Sequence, residues 1–362
     1  MQFSGSPGLI LPGGGARAAY QVGVLKAIAA VLDEDRLPFT AISGISAGAI
    51  NAIAVAQNAA SFGDAVEQLE ALWGNLKPEK VFLVDYGVFQ GLISRKNGSA
   101  SSLLDNTPLR SLIDSHINPA GLEQSIRSGL IKGLAISASN YSTGEATTFL
   151  QADSDSTTWH HDRRDGVLAT LSTSHVMASS ALPMLFPAEE IDGQYYVDGS
   201  LRMTAPLSPA INLGADRILV IGVRNETPSD PADALHPPSM GEIGGYTLES
   251  MFSENLNTDL ERMQQLNHML NLIPRWRRRR SGRRQIDVMV IRPSEDLRVI
   301  AARFSLALPR GLRLLLRTVG GWGHEWRLPS YLLFDGGFTR ALMDLGYRDG
   351  LKQRPALEKF FS

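Results

Sequence analysis

Two glycine-rich turns, 31 residues apart from Gly15 to Ser46, constrain this chain more than anything else in it. The first is "GLILPGGGARAAY", Gly8 to Tyr20; the second is "AISGISAGAINA", Ala41 to Ala52. Each begins as a short apolar run, passes through glycine and opens into a helix-like pattern. A spacing of about 30 residues is that of one βαβ unit. Parallel strands need such a crossover, so both turns return to the same carboxyl edge of one sheet.

The rest of the chain extends that alternation. Apolar spacing predicts helices over 18–32, 47–58, 62–75 and 108–114, with strands over 8–11, 40–44 and 131–137. Hairpins are expected around Thr143-Gly144 and Asp192-Gly193. Helices follow over 167–180, 206–213, 247–272 and 338–347, and strands over 217–223 and 286–292. Strands alternating with helices predict an α/β protein with a mostly parallel sheet covered on both faces. The Pro-, Ser- and Asp-rich stretch 227–238 reads as a linker. It divides an expected catalytic core, 1–224, from a C-terminal extension, 225–362, helical plus one strand and packed on the core. Within the core, 60–130 is the candidate lid or cap, with a loop at "RKNGSASSLLDN".

Three chemistries fit the Gly13–Gly15 turn. Gly13, Gly15 and Ala18 match a dinucleotide fingerprint, with Asp33 about 20 residues on. That fingerprint wants its acid at the end of the second strand, where a ribose can reach it; here the acids precede that strand. A phosphate loop would end in Gly-Lys-Ser/Thr, which is absent. The third chemistry draws on the second turn. "GISAG", Gly44 to Gly48, is G-x-S-x-G, a nucleophile elbow between a predicted strand and helix. Gly44 and Gly48 let the backbone turn sharply, so that the Ser46 hydroxyl stands at a helix N-terminus, where the dipole favours negative charge. Gly13, Gly14 and Gly15 then lie beside it, with N–H groups able to receive an oxyanion.

Serine needs a base. Of seven histidines, His236 falls in the linker, His268 on an amphipathic helix and His324 in a Trp-rich turn, none placed as a catalytic base. Asp198 in "YYVDGS" is better placed, ending a strand just before a glycine. Asp335 in "FDGGF" precedes a helix and reads as an N-cap.

Taken together these segments resemble the patatin-like phospholipase family. The resemblance runs through "GLILPGGGARAAYQVGVLKAI", "AISGISAGAINA", "ASSALPMLFPAEEIDGQYYVDGS" and "APLSPAINLGADRILVIGV", in the family's order over about 8–223. It implies a three-layer α/β/α fold and a serine–aspartate dyad without histidine: Ser46 as nucleophile, Asp198 as base. It implies Gly13, Gly14 and Gly15 as oxyanion donors, and Arg17 as a residue that orients the loop or meets a phosphate. Lipid acyl hydrolysis is the implied activity, on phospholipid or another fatty-acyl ester. Ser200 departs from the family's commoner glycine or alanine. The alternatives are a water-soluble carboxylesterase or thioesterase, and a catalytically silent lipid-binding regulatory protein.

Composition limits the rest. There is no cysteine, so disulfides and thiolate chemistry are excluded, and a cytoplasmic address is expected. No cofactor or metal is implied. "MQFSGSPG" lacks the pattern of a signal peptide, and no run is apolar enough for a transmembrane span. Seven of the 35 basic residues sit between Arg275 and Arg284, leaving 28 against 37 acidic residues elsewhere. That segment is a candidate for peripheral contact with an anionic membrane, ahead of nucleic acid. "PRGLRLLLRTVGGW", Pro309 to Trp322, reads as a helix packed on a core or lying at a lipid interface.

Overall fold

The computed structural model describes residues 5–84, 102–154, 156–225, 237–274, 284–323 and 326–362. Its strands are β1 (Pro7–Leu11), β2 (Ala41–Ile45), β3 (Leu83–Val84), β4 (Leu104–Asp105), β5 (Gly133–Asn140) and β6 (Ala146–Ala152). They continue with β7 (Trp159–His161), β8 (Arg164–Leu168), β9 (Glu189–Ile191), β10 (Gln194–Asp198), β11 (Arg217–Ile221) and β12 (Asp287–Ile291). The helices of the first half are α1 (Ala19–Leu32), α2 (Ala47–Gln57), α3 (Phe62–Gly74), α4 (Thr107–Asp114), α5 (Pro119–Arg127), α6 (Thr173–Ser180) and α7 (Ser208–Asn212). Those of the second half are α8 (Met240–Leu272), α9 (Leu297–Arg303), α10 (Arg310–Thr318), α11 (Arg327–Leu332), α12 (Gly336–Lys352) and α13 (Arg354–Phe361).

The main sheet runs β12-β11-β1-β2-β5-β6-β8-β7, and its first five strands are parallel to one another. β10 and β9 join it through β5. The strand period of two sends alternate side chains to opposite faces. Leu9, Leu11, Leu219 and Ile221 enter the core under α1, α2 and α12. Ile10, Ile218 and Val220 enter a second core with Leu207 of the loop before α7 and with Leu256 and Leu260 of α8. Strands buried on both faces read as unbroken apolar runs, as these do. The result is the α/β architecture with a mostly parallel, helix-flanked sheet.

The C-terminal segments share this body. β12 extends the sheet beside β11. α12 crosses α1 so closely that a Cβ on Gly23 would stand 1.9 Å from the Met343 carbonyl oxygen, and one on Gly346 2.2 Å from that of Tyr20. Small residues at both contact points let the two backbones meet.

Some boundaries move. The helix expected over 167–180 begins only at Thr173, because Val167 and Leu168 pair with Phe149 and Leu150 as the end of β8. Helix α8 starts at Met240 rather than 247: Ser239 and Glu242 form a reciprocal cap, and Gly241 presses against Gly320 and Gly321. In the region expected to cover the cleft, α3 and α4 contribute Phe62, Trp73, Leu109 and Ile113 to the core, while 85–101 lies outside the described residues. Most of the expected linker, 226–236, and the arginine-rich 275–283 lie outside them as well. Helix α10 buries Leu312 and Leu316 in the main core and exposes Leu314. Among the described residues no helix is long and apolar enough to cross a membrane.

Candidate active site

Register brings Ser46 and Asp198 together. β5 pairs along one edge with β6 throughout, so its other edge serves two partners in succession. β2 occupies that edge up to Ile45, opposite Ser137. β10 takes it from the opposite direction, ending with Asp198 opposite Ala138. The carboxyl ends of β2 and β10 therefore meet head-on, and the residues that leave them are Ser46 and Asp198.

Ser46 is the N-cap of α2 and is held at φ 56°, ψ −134°, in left-handed space for a residue with a Cβ. Such a conformation costs about 1–3 kcal/mol and persists only where its surroundings impose it. Here its N–H donates to Ser179 Oγ at 2.8 Å, and Ser179 Oγ in turn donates to the Ser137 carbonyl at 2.6 Å. The turn is also tight by exclusion: a Cβ on Gly48 would lie 2.0 Å from the Leu11 carbonyl oxygen. The first turn of α2 must therefore carry glycine at position 48, against β1. The Ala49 N–H donates to the Ser46 carbonyl at 2.8 Å, and the N–H groups ahead of it have no earlier helical carbonyl to meet, which leaves the positive end of α2 beside Ser46.

Asp198 is fully buried. Its Oδ1 accepts the Ser200 N–H at 2.9 Å, and Ser139 Oγ donates to its backbone carbonyl at 2.9 Å. Oδ2 has no full hydrogen bond among the described residues. Burial pushes the carboxyl up to about 6, while the facing Ser46 hydroxyl and the Ser200 amide and hydroxyl pull it back. The Ser46 hydroxyl thus lies near enough to favour the carboxylate, at longer than a full hydrogen bond. Loose contacts of this kind are common in sites without substrate.

The glycine loop closes the third side. No N–H of Gly13, Gly14 or Gly15 donates to any partner among the described residues. Its outer wall presses close: a Cβ on Gly13 would stand 2.6 Å from the Phe252 ring and 2.7 Å from Ser200 Oγ. Gly15 takes φ +52° with the Tyr331 carbonyl oxygen 2.3 Å from where its Cβ would be, so any side chain there is excluded twice over. Arg17 is buried behind the loop. Its guanidinium donates to Ser330 Oγ at 2.6 and 3.0 Å and to Tyr331 Oη at 3.1 Å, stacks over the Tyr331 ring at 3.9 Å, and lies 4.0 Å from Glu249. Those contacts tie it to protein on every side the structure describes.

Residues the sequence reading passed over complete the frame. Gln21 Nε2 donates to the Pro12 carbonyl at 2.8 Å; Gln21 Oε1 accepts from Asn51 Nδ2 at 2.9 Å; Asn51 Oδ1 accepts from Trp73 Nε1 at 2.8 Å. This buried chain couples α1, α2 and α3 to the carbonyl just before the glycines. Its signal was present: Gln21 and Asn51 are amides set among the apolar residues of α1 and α2. Ser179 had no such signal, since its role depends on a partner 133 residues away.

The other candidates fall elsewhere. Asp335 Oδ1 accepts the Gly337 and Phe338 N–H groups, capping α12. His175 is lowered by burial and spends Nδ1 on Ser172; His236 and His324 lie outside the described residues. Of the arginine-rich segment only Arg284 is described, and it donates to the Ile211 and Ala215 carbonyls. Among the described residues, no three His, Asp or Glu side chains are grouped to hold a metal ion.

Comparison with known proteins adds the family. No curated protein matches the chain. Among solved structures, VipD from Legionella pneumophila aligns at 16% identity and a TM-score of 0.30, over 64% of this chain and 52% of that one. This chain thus spans about half the length of that relative. The patatin-like phospholipase family model matches residues 9–211, more than half the chain and the whole of the frame around Ser46 and Asp198. The chain belongs to the patatin-like phospholipase family.

Proposed function

We propose that this protein is a serine acyl hydrolase that cleaves fatty-acyl ester bonds of phospholipids or related lipids through Ser46 and Asp198. The observation that carries the proposal is the head-on meeting of β2 and β10 along β5, which sets a hydroxyl against a buried carboxylate.

The chemistry proceeds in two halves. Ser46 Oγ attacks the ester carbonyl and its proton passes to Asp198. The carbonyl oxygen becomes an oxyanion, received by the unpaired N–H groups of Gly13, Gly14 and Gly15 and by the positive end of α2. Collapse of the tetrahedral intermediate expels the alcohol, which takes the proton from Asp198 and leaves an acyl ester on Ser46. Water then attacks that ester with Asp198 again as base, releasing the fatty acid and restoring the hydroxyl. A carboxylate near pKa 6 suits this role, because a base works best when its pKa approaches the working pH. Arg17 orients the glycine loop from behind.

The test compares wild type with Ser46→Ala and Asp198→Asn on p-nitrophenyl esters and on mixed phospholipid vesicles. Loss of about 10³-fold or more is expected in both variants, with a fluorophosphonate labelling Ser46 in the wild type. Full turnover by either variant would exclude the dyad. A rate that rises when substrate passes from monomer to aggregate assigns lipid; a flat response assigns a soluble ester or thioester. Absence of both labelling and turnover assigns a binding protein.

A further inference from the structure

We infer that an apolar slot along α2 takes the acyl chain of the substrate and sets its length. The inference rests on Ser46 being the nucleophile.

The slot is a seam that three helices leave open. α2 turns Ile50, Ile53, Ala54 and Gln57 toward it. α3 contributes Leu69, Leu72 and Trp73, and α4 contributes Leu109, Leu112 and Ile113. Each set follows the three- and four-residue spacing of one helical face. Interior faces of this kind normally interdigitate to crystal-like density. Here they enclose a free volume of about 50 Å³ instead. One water-sized centre needs about 10–15 Å³, so the gap is a narrow file rather than a chamber.

What the slot offers a guest is carbon. Three of the polar side chains around it, Gln57, Trp73 and His116, turn hydrogen bonds elsewhere. Gln57 Nε2 donates to the His116 carbonyl and its Oε1 accepts the Asn118 N–H, both at 2.8 Å. Trp73 Nε1 donates to Asn51, and His116 Nδ1 bonds the Leu112 carbonyl. Gln68 stands at the exposed rim, and the rest of the lining is chiefly carbon, which favours hydrocarbon over water.

Direction supplies the occupant. Ser46, Ile50, Ile53, Ala54 and Gln57 recur at helical spacing, so the slot, whose lining on α2 begins at Ile50, lies one turn down the same face from the residue that would carry the acyl group. From Ser46 to Gln57 that path is about 16 Å along the helix axis. An ester carbonyl placed at the N-terminus of α2 can thus send its chain along the helix, with the head group left outside. A membrane surface does not fit so narrow an opening, and a polar head group would find no partner there.

The experiment measures kcat/KM on p-nitrophenyl acetate, butyrate, octanoate, laurate and palmitate for wild type, Ala54→Phe and Leu112→Trp. The two variants fill the slot from opposite walls, so either suffices if the other fails to fold. The expected result is a fall of about tenfold or more in the palmitate-to-butyrate ratio, with a new optimum at shorter chains. An unchanged ratio in a folded variant that still labels with a short fluorophosphonate would overturn the slot while leaving Ser46 standing. A wild type that neither labels nor turns over any ester would overturn both.

Discussion

The turn at Ser46 and the loop at Gly13–Gly15 look alike, since each follows a parallel strand and opens into a helix. They are held by different parts of the chain. Ser179, Ser137 and the Leu11 carbonyl fix the Ser46 turn, all inside the stretch the family model matches. Apart from Ser200, the outer wall of the glycine loop comes from beyond it: Phe252, Ser330, Tyr331 and, behind Arg17, Glu249. The proposed nucleophile therefore belongs to the matched stretch, whereas the proposed oxyanion side is completed by the C-terminal third. A chain with the first part alone would keep the hydroxyl and the carboxylate and lose the wall that shapes the loop.

Arg17→Ala is the largest blow to that arrangement. It removes the donors to Ser330 and Tyr331, takes one cation away from buried Glu249 and leaves a cavity behind the glycines. Glu249 keeps Arg224 and Arg327, so the cost comes from the lost hydrogen bonds and the cavity, about 2–4 kcal/mol of stability. If the loop then misplaces even one oxyanion donor, kcat/KM falls by about 10²–10³. Thermal melts and ester turnover on the same preparation measure both. Normal turnover in this variant would show that the loop needs no support from the C-terminal third.

The same division explains what the sequence could tell. The βαβ spacing, the elbow and the hairpin turn at Asp192-Gly193 are local patterns, so β1, α1, β2, α2 and the end of β10 could be read directly. Asp198 was legible as an aspartate ending a strand just before glycine, and its place near Ser46 comes from β5, which pairs with both β2 and β10. The wall of the loop was not legible. Phe252 sits mid-helix and Tyr331 in a short helix of ordinary composition; nothing local marks either as the neighbour of a glycine more than 200 residues earlier. The start of α6 was misread for a related reason. Val167 and Leu168 suit a helix as well as a strand, and only their pairing with β6 decides.

Asp198 sharpens the comparison from the other side, by showing what the matched stretch gives up to bury a carboxyl group. Its carboxyl is raised from 3.8 to about 6 by burial, so the folded protein binds its proton more tightly than the unfolded chain does. Folding is then disfavoured once that group ionises. The cost is absent below the unfolded pKa, grows between about pH 4 and 6, and is complete above the folded value. Asp198→Asn removes it, and an amide can still accept the Ser200 N–H. The variant should be inactive yet more stable at pH 8, by up to about 3 kcal/mol, with no gain near pH 3. Urea melts at the two pH values measure it. In the wild type, the same ionisation makes kcat/KM rise with pH through about 6.

The smallest effect gives the cleanest test of the wall. A Cβ on Gly14 would lie 2.6 Å from Val223 Cγ2, and the next two nearest atoms also belong to Val223, at 3.2 and 3.4 Å. Val223 follows β11, on the far side of β1 from Ser46, so this contact reports on the loop and not on the dyad. Gly14→Ala should therefore cost about 1–3 kcal/mol through overpacking, and Val223→Ala a comparable amount through the lost methyl groups. In the double variant the new methyl occupies space the old ones left. The two losses should then fail to add, with a coupling of about 1 kcal/mol or more in the favourable direction. Turnover should follow the same cycle, falling in Gly14→Ala and partly returning in the pair. Strict additivity would mean that the glycine is required for its backbone rather than for its neighbour, and that the wall shapes the loop less closely than its contacts imply.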